Sequence, residues 1–567
     1  MNLTVNKNPS TVCNPVNISY QYQEGFHSRE SADPSAIMFK DEYYLFASHG
    51  SGYWWSSDLV DWNFVYCAMP EINNYAPAVC VIGDYIYLTH SGGAIYRSGN
   101  PKSGVWEFVS RPYYWGDPTW LADDDGRVYC YYCGSPPEPI SVVELDPNNN
   151  MALLAGPFAC FYENRTEHGF EVIGDNNDQY DEDCWMEGPW MTKYNGRYYL
   201  QYAAPATQFT SYADGCYTSD SPIGPFVYEN NSPVSYKATG FLTGMGHGSL
   251  IQDRNGNWWK FSTVAVSVNH VFERRLIMTP AKFDEYGQLI TNAVFADYPM
   301  YKAYHNNYNF YKPNPPWHLI SLNAAAAASS SLQGFAPSKA FDENIRTWWS
   351  ARTGNTGEWL AADLGRAFSV NAAQINFADQ DALDVYGRDN EYVYRYLLEV
   401  SRDGINWDAL ADTSDAAGEP FKAADNSHIY YELEEAASVR FIRITNKGSI
   451  PAGGKFAVSG LRLFGHGGGD PPQAVENFTV RRNASDERSV TLFWDKAGGA
   501  EGYIIRFGNY KNALNTHYQA KGDNTATINC LNKCVDYYFT IDSYNENGVT
   551  YGKEIKYTPA RRTSGRG

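Results

Sequence analysis

SADPSAIMFKDEYYLFAS, residues 31–48, contains an apolar strand, a polar turn and an aromatic strand, which together predict a short β-hairpin. The same pattern recurs four more times before residue 270, and the turns of the five hairpins are predicted at Asp-Glu, Gly-Asp, Asp-Gly and Asn-Gly pairs, which close tight hairpins. The five hairpins are AIMFKDEYYLFAS from Ala36, AVCVIGDYIYLTHS from Ala78, TWLADDDGRVYCYYCGS from Thr119, PWMTKYNGRYYLQYAA from Pro189 and SLIQDRNGNWWKFST from Ser249. Repeated antiparallel hairpins without amphipathic helices between them favour a five-bladed β-propeller over a sandwich.

A short signature with small residues, proline or glycine precedes each hairpin. The five signatures are Asp33-Pro34, Tyr75-Ala76-Pro77, Asp117-Pro118, Glu187-Gly188-Pro189 and Gly246-His247-Gly248. In a propeller the innermost strand of each blade begins at this point, so residues far apart in sequence converge on the central axis. The sequence therefore predicts that Asp33, Asp117 and Glu187 occupy corresponding positions and face one another across one pocket.

Facing carboxyls can break a glycosidic bond, one as an acid that protonates the leaving oxygen and one as a base or nucleophile. Clustered carboxylates repel one another, which raises the pKa of one member and keeps it protonated near neutral pH. The alternative is structural, because an Asp before a Pro is a common turn residue. Three acids at one repeat register favour a catalytic site over three unrelated turns.

Seven motifs carry a resemblance to a known family. They are SADPSAIMFKDEYYLFAS, SSDLVDWNFV, YAPAV, GDPTWLADDDGRVY, MEGPWMTKYNGRYYLQYAA, SPIGPF and GHGSLIQDRNGNWW. As a set, over most of residues 20–310, they resemble glycoside hydrolase family 43, five-bladed propellers that include α-L-arabinofuranosidases and β-xylosidases. The resemblance implies an inverting mechanism in which Asp33 is the general base and Glu187 the general acid, while Asp117 adjusts the pKa of Glu187 and positions it. Inversion requires roughly 6.5–9.5 Å between the acid and base carboxyls.

Three further residues are candidates for the substrate pocket. The resemblance implies a substrate-binding arginine at Arg274, with Arg275 as the structural alternative. Trp115 is predicted to wall the pocket, because alternation turns about half of the tryptophans near the carboxylates inward. His247 stands where similar propellers place a histidine near a central metal ion, usually calcium; its alternative is a buried core histidine. Calcium prefers oxygen ligands, so His247 would act through water. No organic cofactor is expected.

Composition limits the possible partners. The formal net charge of −20 argues against nucleic acid or an anionic membrane as the main partner. The sequence contains no run of 18 apolar residues, so it predicts no membrane span. The ten cysteines lack the paired spacing of a zinc site. The N-terminal stretch lacks the pattern of a secretion signal, and a secreted, periplasmic or cell-surface monomer is still expected, since that signal is removed from mature proteins.

Two proline-rich stretches, YKPNPPW at 311–317 and GHGGGDPP at 465–472, divide the chain. We predict a propeller over 1–317, a β-sandwich over 318–466, a linker at 467–472, a second sandwich over 473–558 and a tail at 559–567.

The appended segments carry resemblances of their own. FAPSKAFDENIRTWWSARTGNTGEWLAADLG from Phe335, SRDGINW and VRFIRITNKG resemble the factor 5/8 type C (discoidin) fold, many examples of which bind sugars beside hydrolases. That family often holds a calcium ion near the position of Asp342, although its usual terminal-strand Glu is Gly460 here. The last segment, with Trp494 and Tyr503, resembles a fibronectin type III module and is expected to act as a spacer.

The sequence leaves several functions open. We expect an exo-acting inverting hydrolase that releases terminal α-L-arabinofuranose from plant cell-wall polysaccharide. Within the same family, β-xylosidase, exo-galactan or endo-arabinan activity are alternatives, because loops that the sequence does not place determine pocket shape. From a different class, the chain is a non-catalytic carbohydrate-binding or adhesion protein.

Overall fold

The computed structural model describes residues 3–22, 29–48, 52–67, 75–266, 272–303, 308–381, 394–414, 427–450 and 453–560. Within these ranges the regular structure is almost all strand. The helical elements there are short 3-10 turns at Pro101–Ser103, Gly169–Glu171 and Pro337–Ala340. None of the described helices has the length and apolar character needed to cross a membrane. The all-β class predicted from the hairpin pattern is confirmed.

Three short strands lead into the first body: β1 (Thr11–Val12), β2 (Gln21–Tyr22) and β3 (Arg29–Glu30). Five antiparallel four-stranded sheets follow as the blades of a propeller. Blade one contains β4 (Ser35–Phe39), β5 (Glu42–Phe46), β6 (Gly52–Ser56) and β7 (Asn63–Tyr66), and blade two β8 (Ala78–Ile82), β9 (Tyr85–Thr89), β10 (Ile95–Ser98) and β11 (Glu107–Ser110). Blade three contains β12 (Gly116–Ala122), β13 (Val128–Cys133), β14 (Ile140–Asp146) and β15 (Ala152–Phe161).

Blades four and five complete the circle. They contain β16 (Glu187–Tyr194), β17 (Arg197–Ala204), β18 (Ala213–Ser219) and β19 (Val227–Tyr228), then β20 (Gly244–Gln252), β21 (Trp258–Ala265), β22 (Arg274–Phe283) and β23 (Leu289–Thr291). The innermost strands β4, β8, β12, β16 and β20 contact one another in a closed ring, with β20 against β4. A strand β24 (Met300–Tyr301) pairs with β1. The starts of the five innermost strands therefore surround one axis.

The hairpin turns explain the local sequence. Asn195 and Gly196 both have positive φ, at 49° and 79°, as a two-residue turn between right-twisted strands requires. In blade one the two turn residues are Lys40 and Asp41, at 50° and 62°. The turn thus lies one residue before the Asp-Glu pair that the sequence indicated.

The second body is a β-sandwich. Its strands are β25 (His318–Leu319), β26 (Ala325–Ala328), β27 (Trp349–Ser350), β28 (Trp359–Phe377), β29 (Tyr396–Ser401), β30 (Trp407–Asp412), β31 (His428–Asn446) and β32 (Ala457–His466). The strand order is β25-β32-β28-β31-β29-β30, with β26 on β28 and β27 on β32. The paired strands β28 and β31 shift register along their length, and a core that includes Trp349, Tyr396 and Phe456 is fully buried between the layers.

The third body has two sheets. Its strands are β33 (Phe478–Arg482), β34 (Val490–Trp494), β35 (Gly502–Gly508), β36 (Thr516–Lys521), β37 (Thr525–Ile528), β38 (Tyr537–Asn545), β39 (Gly548–Thr550) and β40 (Lys556–Thr558). One sheet has the order β33-β34-β37, and the other β36-β35-β38-β39 with β40 on β38. Trp494 and Tyr503 meet edge to face between the sheets, with ring centroids 5.3 Å apart.

This third body packs directly on the propeller. The Gly169 N–H donates to the carbonyl of Leu531 at 2.9 Å, and the Tyr228 hydroxyl donates to Asn532 Oδ1 at 3.0 Å. Phe170 of the propeller and Leu531 belong to one apolar cluster. Such packing differs from the expected spacer, which would hold separate bodies apart.

The second body is joined to the propeller by buried charges. Arg462 is 1% exposed. Its Nη2 lies 2.5 Å from Glu343 Oε1, and its Nη1 donates to Gln374 Oε1 at 2.9 Å and to the carbonyl of Asp297 in the propeller. The Arg462–Glu343 pair lies within the second body, whereas the buried pair Arg29–Asp379 crosses the interface to the propeller, with Nη2 to Oδ1 at 2.7 Å. The interface thus depends on compensated charges.

We predict that Arg462→Leu destabilises the chain by about 3–5 kcal/mol, because it leaves the Glu343 carboxylate buried without its partner. The matched control, Arg440→Leu, removes a partly exposed pair with Asp363, which solvent screens, and should lower the melting temperature much less. Thermal unfolding followed by calorimetry measures both variants. Equal melting temperatures for the two variants would contradict the conclusion that the buried Arg462–Glu343 pair stabilises the chain.

Candidate active site

Each innermost strand has a residue in the left-handed region at its start, two residues before β4 and β8 and within the first four residues of β12, β16 and β20. These residues are Asp33 (φ 55°), Ala76 (47°), Asp117 (41°), Gly188 (54°) and His247 (44°). A proline follows the first four, and Gly248 follows His247. Left-handed backbone is uncommon for residues other than glycine, and such strain concentrates at functional sites. Its recurrence in all five blades shows that it belongs to the repeat.

A side chain of the preceding blade accepts the N–H of each left-handed residue. The pairs with oxygen acceptors are Ala76 to Ser48 Oγ (2.7 Å), Asp117 to Ser91 Oγ (2.9 Å), His247 to Asp214 Oδ1 (2.8 Å) and Asp33 to Thr263 Oγ1 (2.9 Å). In blade four the N–H of Gly188 instead faces the sulfur of Cys133 from blade three. The contacts link blade five back to blade one, so they form a closed ring that we call the inter-blade clasp.

The clasp corrects one sequence prediction. Asp33 and Asp117 share the left-handed position, but Glu187 lies one residue earlier, and Gly188 occupies that position in blade four. A Cβ atom at residue 188 would overlap the imidazole of His247. Only glycine fits beneath that ring, so the acid of blade four stands on the preceding residue.

Asp33 lies at the centre of a buried polar network and is 5% exposed. Ser48 Oγ donates to Asp33 Oδ2 at 2.6 Å. Arg274 Nη1 lies 3.2 Å from Oδ1 and 3.3 Å from Oδ2. On another side His247 Nδ1 lies 3.2 Å from Oδ1. Two cationic side chains thus face this one carboxylate.

His247 joins the acids of different blades. Its Nδ1 is 3.8 Å from Asp117 Oδ2 in addition to its contact with Asp33. Burial disfavours the charged imidazole, but the carboxylates, Asp33 first and Asp117 next, together raise the pKa of His247 above its usual value. Beneath it, Asp214 Oδ2 pairs with Lys260 Nζ at 2.5 Å. The two carboxylates therefore favour the protonated form of His247, which contacts both of them near the axis.

The remaining acids are tuned by burial. Burial, and then the charge of Asp117, raise the pKa of Glu187 to about 7. Burial also raises the pKa of Asp117, while the charge of His247 opposes that rise. The Tyr212 hydroxyl donates to Glu187 Oε1 at 2.5 Å, and Ser91 Oγ donates to Asp117 Oδ1 at 3.1 Å. Near neutral pH the site thus contains a protonatable acid close to fixed negative charge.

Strand alternation separates the two adjacent arginines of β22. Arg274 faces Asp33 and also lies 3.5 Å from Glu30 Oε2. Arg275 points to the opposite side, where its Nε donates to Nε2 of His428 in the second body at 3.0 Å. Only Arg274 is therefore placed to meet a ligand in the pocket.

Trp115 does not wall the pocket. It is 1% exposed, its indole Nε1 donates to Thr89 Oγ1 at 3.1 Å, and it belongs to the apolar core between blades two and three. Alternation predicts how many tryptophans turn inward but does not identify them. Three other aromatic residues before the innermost strands, Tyr75, Tyr114 and Trp185, are exposed instead.

The predicted calcium ligand Asp342 does not fit a calcium site. Both of its oxygens accept hydrogen bonds within its own turn, from the Asn344 N–H at 3.1 Å and the Thr347 hydroxyl at 2.6 Å. Its neighbour Glu343 is paired with Arg462. In the described part of the chain no group of three or more His, Cys, Asp or Glu side chains is arranged for a metal, whereas calcium takes six to eight oxygens. Calcium near His247 stays a prediction.

Sequence reasoning missed the residues that support the acids. Ser48 and Ser91 lie just after the second strand of their hairpins, and Thr263 lies near the end of β21. Because these hydroxyl residues recur after or near the ends of aromatic strands, the sequence pattern could have identified them as supporting residues. Tyr212 and Asp214 follow no such pattern, because their role depends on β18 packing against β20 of the next blade.

Comparison with known families agrees with this geometry. Residues 22–289 match the model of glycosyl hydrolases family 43. The propeller is a family 43 domain. Residues 325–458 match the F5/8 type C domain, which identifies the second body as a discoidin-type sandwich.

Individual relatives are distant. A xylosidase/arabinosidase of Butyrivibrio fibrisolvens is 29% identical over 218 residues, 33% of this chain and 36% of that protein. A beta-xylosidase of Xylanibacter ruminicola is 28% identical over 192 residues, 31% of this chain and 57% of that protein. A solved thermostable family-43 glycoside hydrolase is 21% identical, with a TM-score of 0.41 over 52% of this chain and 97% of that one. The chain thus spans at most 57% of the length of these two curated relatives.

We predict that Asp33→Asn lowers the pKa of His247, because Asp33 is the leading carboxylate that stabilises the imidazolium. Titration of the histidine ring nitrogens by ¹⁵N NMR measures the shift, and Asp253→Asn, in the turn at the far end of blade five, serves as control. An unchanged titration in Asp33→Asn would contradict the ion pair.

Proposed function

We propose that this chain is an exo-acting glycoside hydrolase that inverts configuration and releases terminal α-L-arabinofuranose from plant cell-wall polysaccharide. The observation that carries the proposal is a cluster of three acids, the buried Asp33 and the partly exposed Asp117 and Glu187. In this cluster burial raises the pKa of Glu187 to about 7, and Asp33 faces Arg274 and His247. This divides the carboxyls into one proton donor and one charged base, as glycoside hydrolysis requires.

In the proposed reaction Asp33 removes a proton from a water molecule while the water oxygen attacks the anomeric carbon. The bond from that carbon to the glycosidic oxygen breaks, and Glu187 gives its proton to the leaving oxygen. Asp117 contributes negative charge that raises the pKa of Glu187. Arg274, bound to Asp33, is placed to orient the sugar as well. One proton enters the enzyme at Asp33 and one leaves it from Glu187.

Tyr212 acts in this scheme as a positioning residue. Its hydroxyl donates to Oε1 of Glu187, so Oε2 is the oxygen that carries the proton toward the leaving group. The tyrosine ring fills the space beside Gly246, where a Cβ atom would overlap it. That packing fixes the hydroxyl and, through it, the carboxyl.

The choice of sugar rests on the names of relatives, which include both xylosidase/arabinosidase and beta-xylosidase. β-Xylosidase activity is therefore the second candidate, and exo-galactan activity a third. A non-catalytic binding protein would not need an acid with its pKa near 7, and this favours the enzyme. We further propose a secreted or cell-surface monomer.

The appended bodies extend the proposal. A discoidin-type sandwich beside a hydrolase fits a carbohydrate-binding role, although the fold alone does not define a ligand. The three-stranded sheet facing a larger one in the third body supports its resemblance to fibronectin type III. We propose that this body braces the propeller.

We expect Glu187→Gln to lower kcat on natural arabinofuranosides by about 10²–10⁴-fold, because the amide has no proton to donate. Substrate affinity should persist, since the replacement keeps the shape of the side chain. Release of arabinose is measured by chromatography, with p-nitrophenyl arabinofuranoside, xyloside and galactoside compared in parallel. Glu182→Gln, an exposed residue of the same segment, is the control. Unchanged turnover in Glu187→Gln would exclude the mechanism.

The pH profile tests the same acid from a different side. Because the protonated form of Glu187 is active, kcat/KM falls as pH rises through its pKa of about 7. The Tyr212 hydrogen bond stabilises the charged carboxylate and lowers that pKa, so Tyr212→Phe moves the alkaline limb to higher pH. Tyr75→Phe, on an exposed ring, should leave the profile in place. A limb that stays fixed or moves to lower pH in Tyr212→Phe would refute the positioning role.

A further inference from the structure

A cleft of about 550 Å³ lies where the three bodies meet. The propeller contributes the segment before β20 and the discoidin-type sandwich the turn after Asp342. The third body contributes β36 and the turn that follows it. None of these segments alone encloses the space, so the cleft exists only in the assembled chain.

The cleft opens at the end of the propeller that carries the acids. Thr243, in its lining, directly precedes β20 and stands four residues before His247, a separation of at most ~14 Å in an extended chain. Thr210, also in the lining, is two residues before Tyr212. The backbone N–H of Gly244 donates to the carbonyl of Thr210 at 3.1 Å, which joins these two segments. A polysaccharide that extends from the catalytic pocket over blades four and five therefore reaches this cleft.

The lining combines polar groups of mixed charge with alanine and tyrosine side chains. Asn344 and Arg346 come from the sandwich, and Gln519, Lys521 and Asp523 come from the third body. Within the described ranges Arg346 forms no ion pair. Lys521 Nζ is held in place by the carbonyl of Glu343 at 2.7 Å. Amide, guanidinium, ammonium and carboxylate groups together offer donors and acceptors, which suits a neutral polyol rather than a polyanion or an apolar ligand.

Gln519 contributes a polar side chain to the cleft. It is 6% exposed and is part of the lining. Its Nε2 donates to the Tyr544 hydroxyl at 2.7 Å, while its Oε1 accepts no hydrogen bond. A buried acceptor without a partner costs free energy. Because Oε1 itself has almost no exposed surface, a sugar hydroxyl reaches it only when the Gln519 amide turns toward the cleft.

We infer that this cleft is a second carbohydrate site, which binds a neutral polysaccharide segment several sugar units away from the bond that is cleaved. The inference rests on the proposed hydrolase function for its substrate class. In this inference both appended bodies contribute sugar-binding side chains to one composite site.

The test compares a polymer with a small substrate. Arg346→Ala and Asp523→Ala each remove a cleft side chain from a different body. We expect about a tenfold lower kcat/KM on soluble arabinoxylan in each variant, from the loss of contacts worth a tenfold change in affinity. On p-nitrophenyl arabinofuranoside, which fills only the catalytic pocket, the change should stay below about twofold. Arg402→Ala, an exposed arginine of the same sandwich outside the cleft, is the matched control.

Binding is measured separately from turnover, by affinity electrophoresis in gels containing arabinoxylan, arabinan or galactan. Retardation of the wild type by one of these, and its loss in both cleft variants, supports the site even if no substrate is hydrolysed. Circular dichroism verifies that the variants are folded, and Arg346→Lys supplies a milder change. Equal losses on polymer and aryl substrate, or retardation that both variants retain, would overturn the inference.

Discussion

The inter-blade clasp is the interaction on which the rest of the structure depends. A left-handed residue at the start of each innermost strand costs of order 1–3 kcal/mol in strain when it is not glycine. The buried hydrogen bond from its N–H to the previous blade offsets that cost and fixes the angle between neighbouring blades. Because Asp33 and Asp117 are themselves left-handed residues, the contacts that close the propeller also aim the acids at the axis. Fold and site are therefore stabilised by the same atoms.

The electrostatics follow from this closure. Asp33, Asp117 and Glu187 would repel one another if all were charged, and two features of the structure reduce this repulsion. His247 and Arg274 compensate Asp33 directly, while Glu187 lies where burial favours its neutral form. One ring of blades thus favours two different ionisation states in similar side chains.

Local patterns made the propeller and its acids predictable from sequence. Each hairpin is determined by neighbours within about fifteen residues, and its repetition specifies the architecture. The position of Glu187 was misjudged by one residue because steric contact with His247, from another blade, selects Gly188. Trp115 was misplaced because alternation does not say which face is the core. The interfaces between bodies had no local signal at all: Arg462 and Leu531 are ordinary residues until their distant partners surround them.

The contact of the third body with blade four has a consequence for how the chain is made. The hydrogen bond between Tyr228 and Asn532 joins residues 304 positions apart. At a synthesis rate of ~5–20 residues per second, blade four leaves the ribosome roughly 15–60 s before its partner exists. During that interval Phe170 and its apolar neighbours lack their cover, so a nascent or truncated chain presents an adhesive surface that the finished molecule conceals. The last hundred residues therefore cover this apolar surface, and a chain without them would expose it to chaperones and proteases.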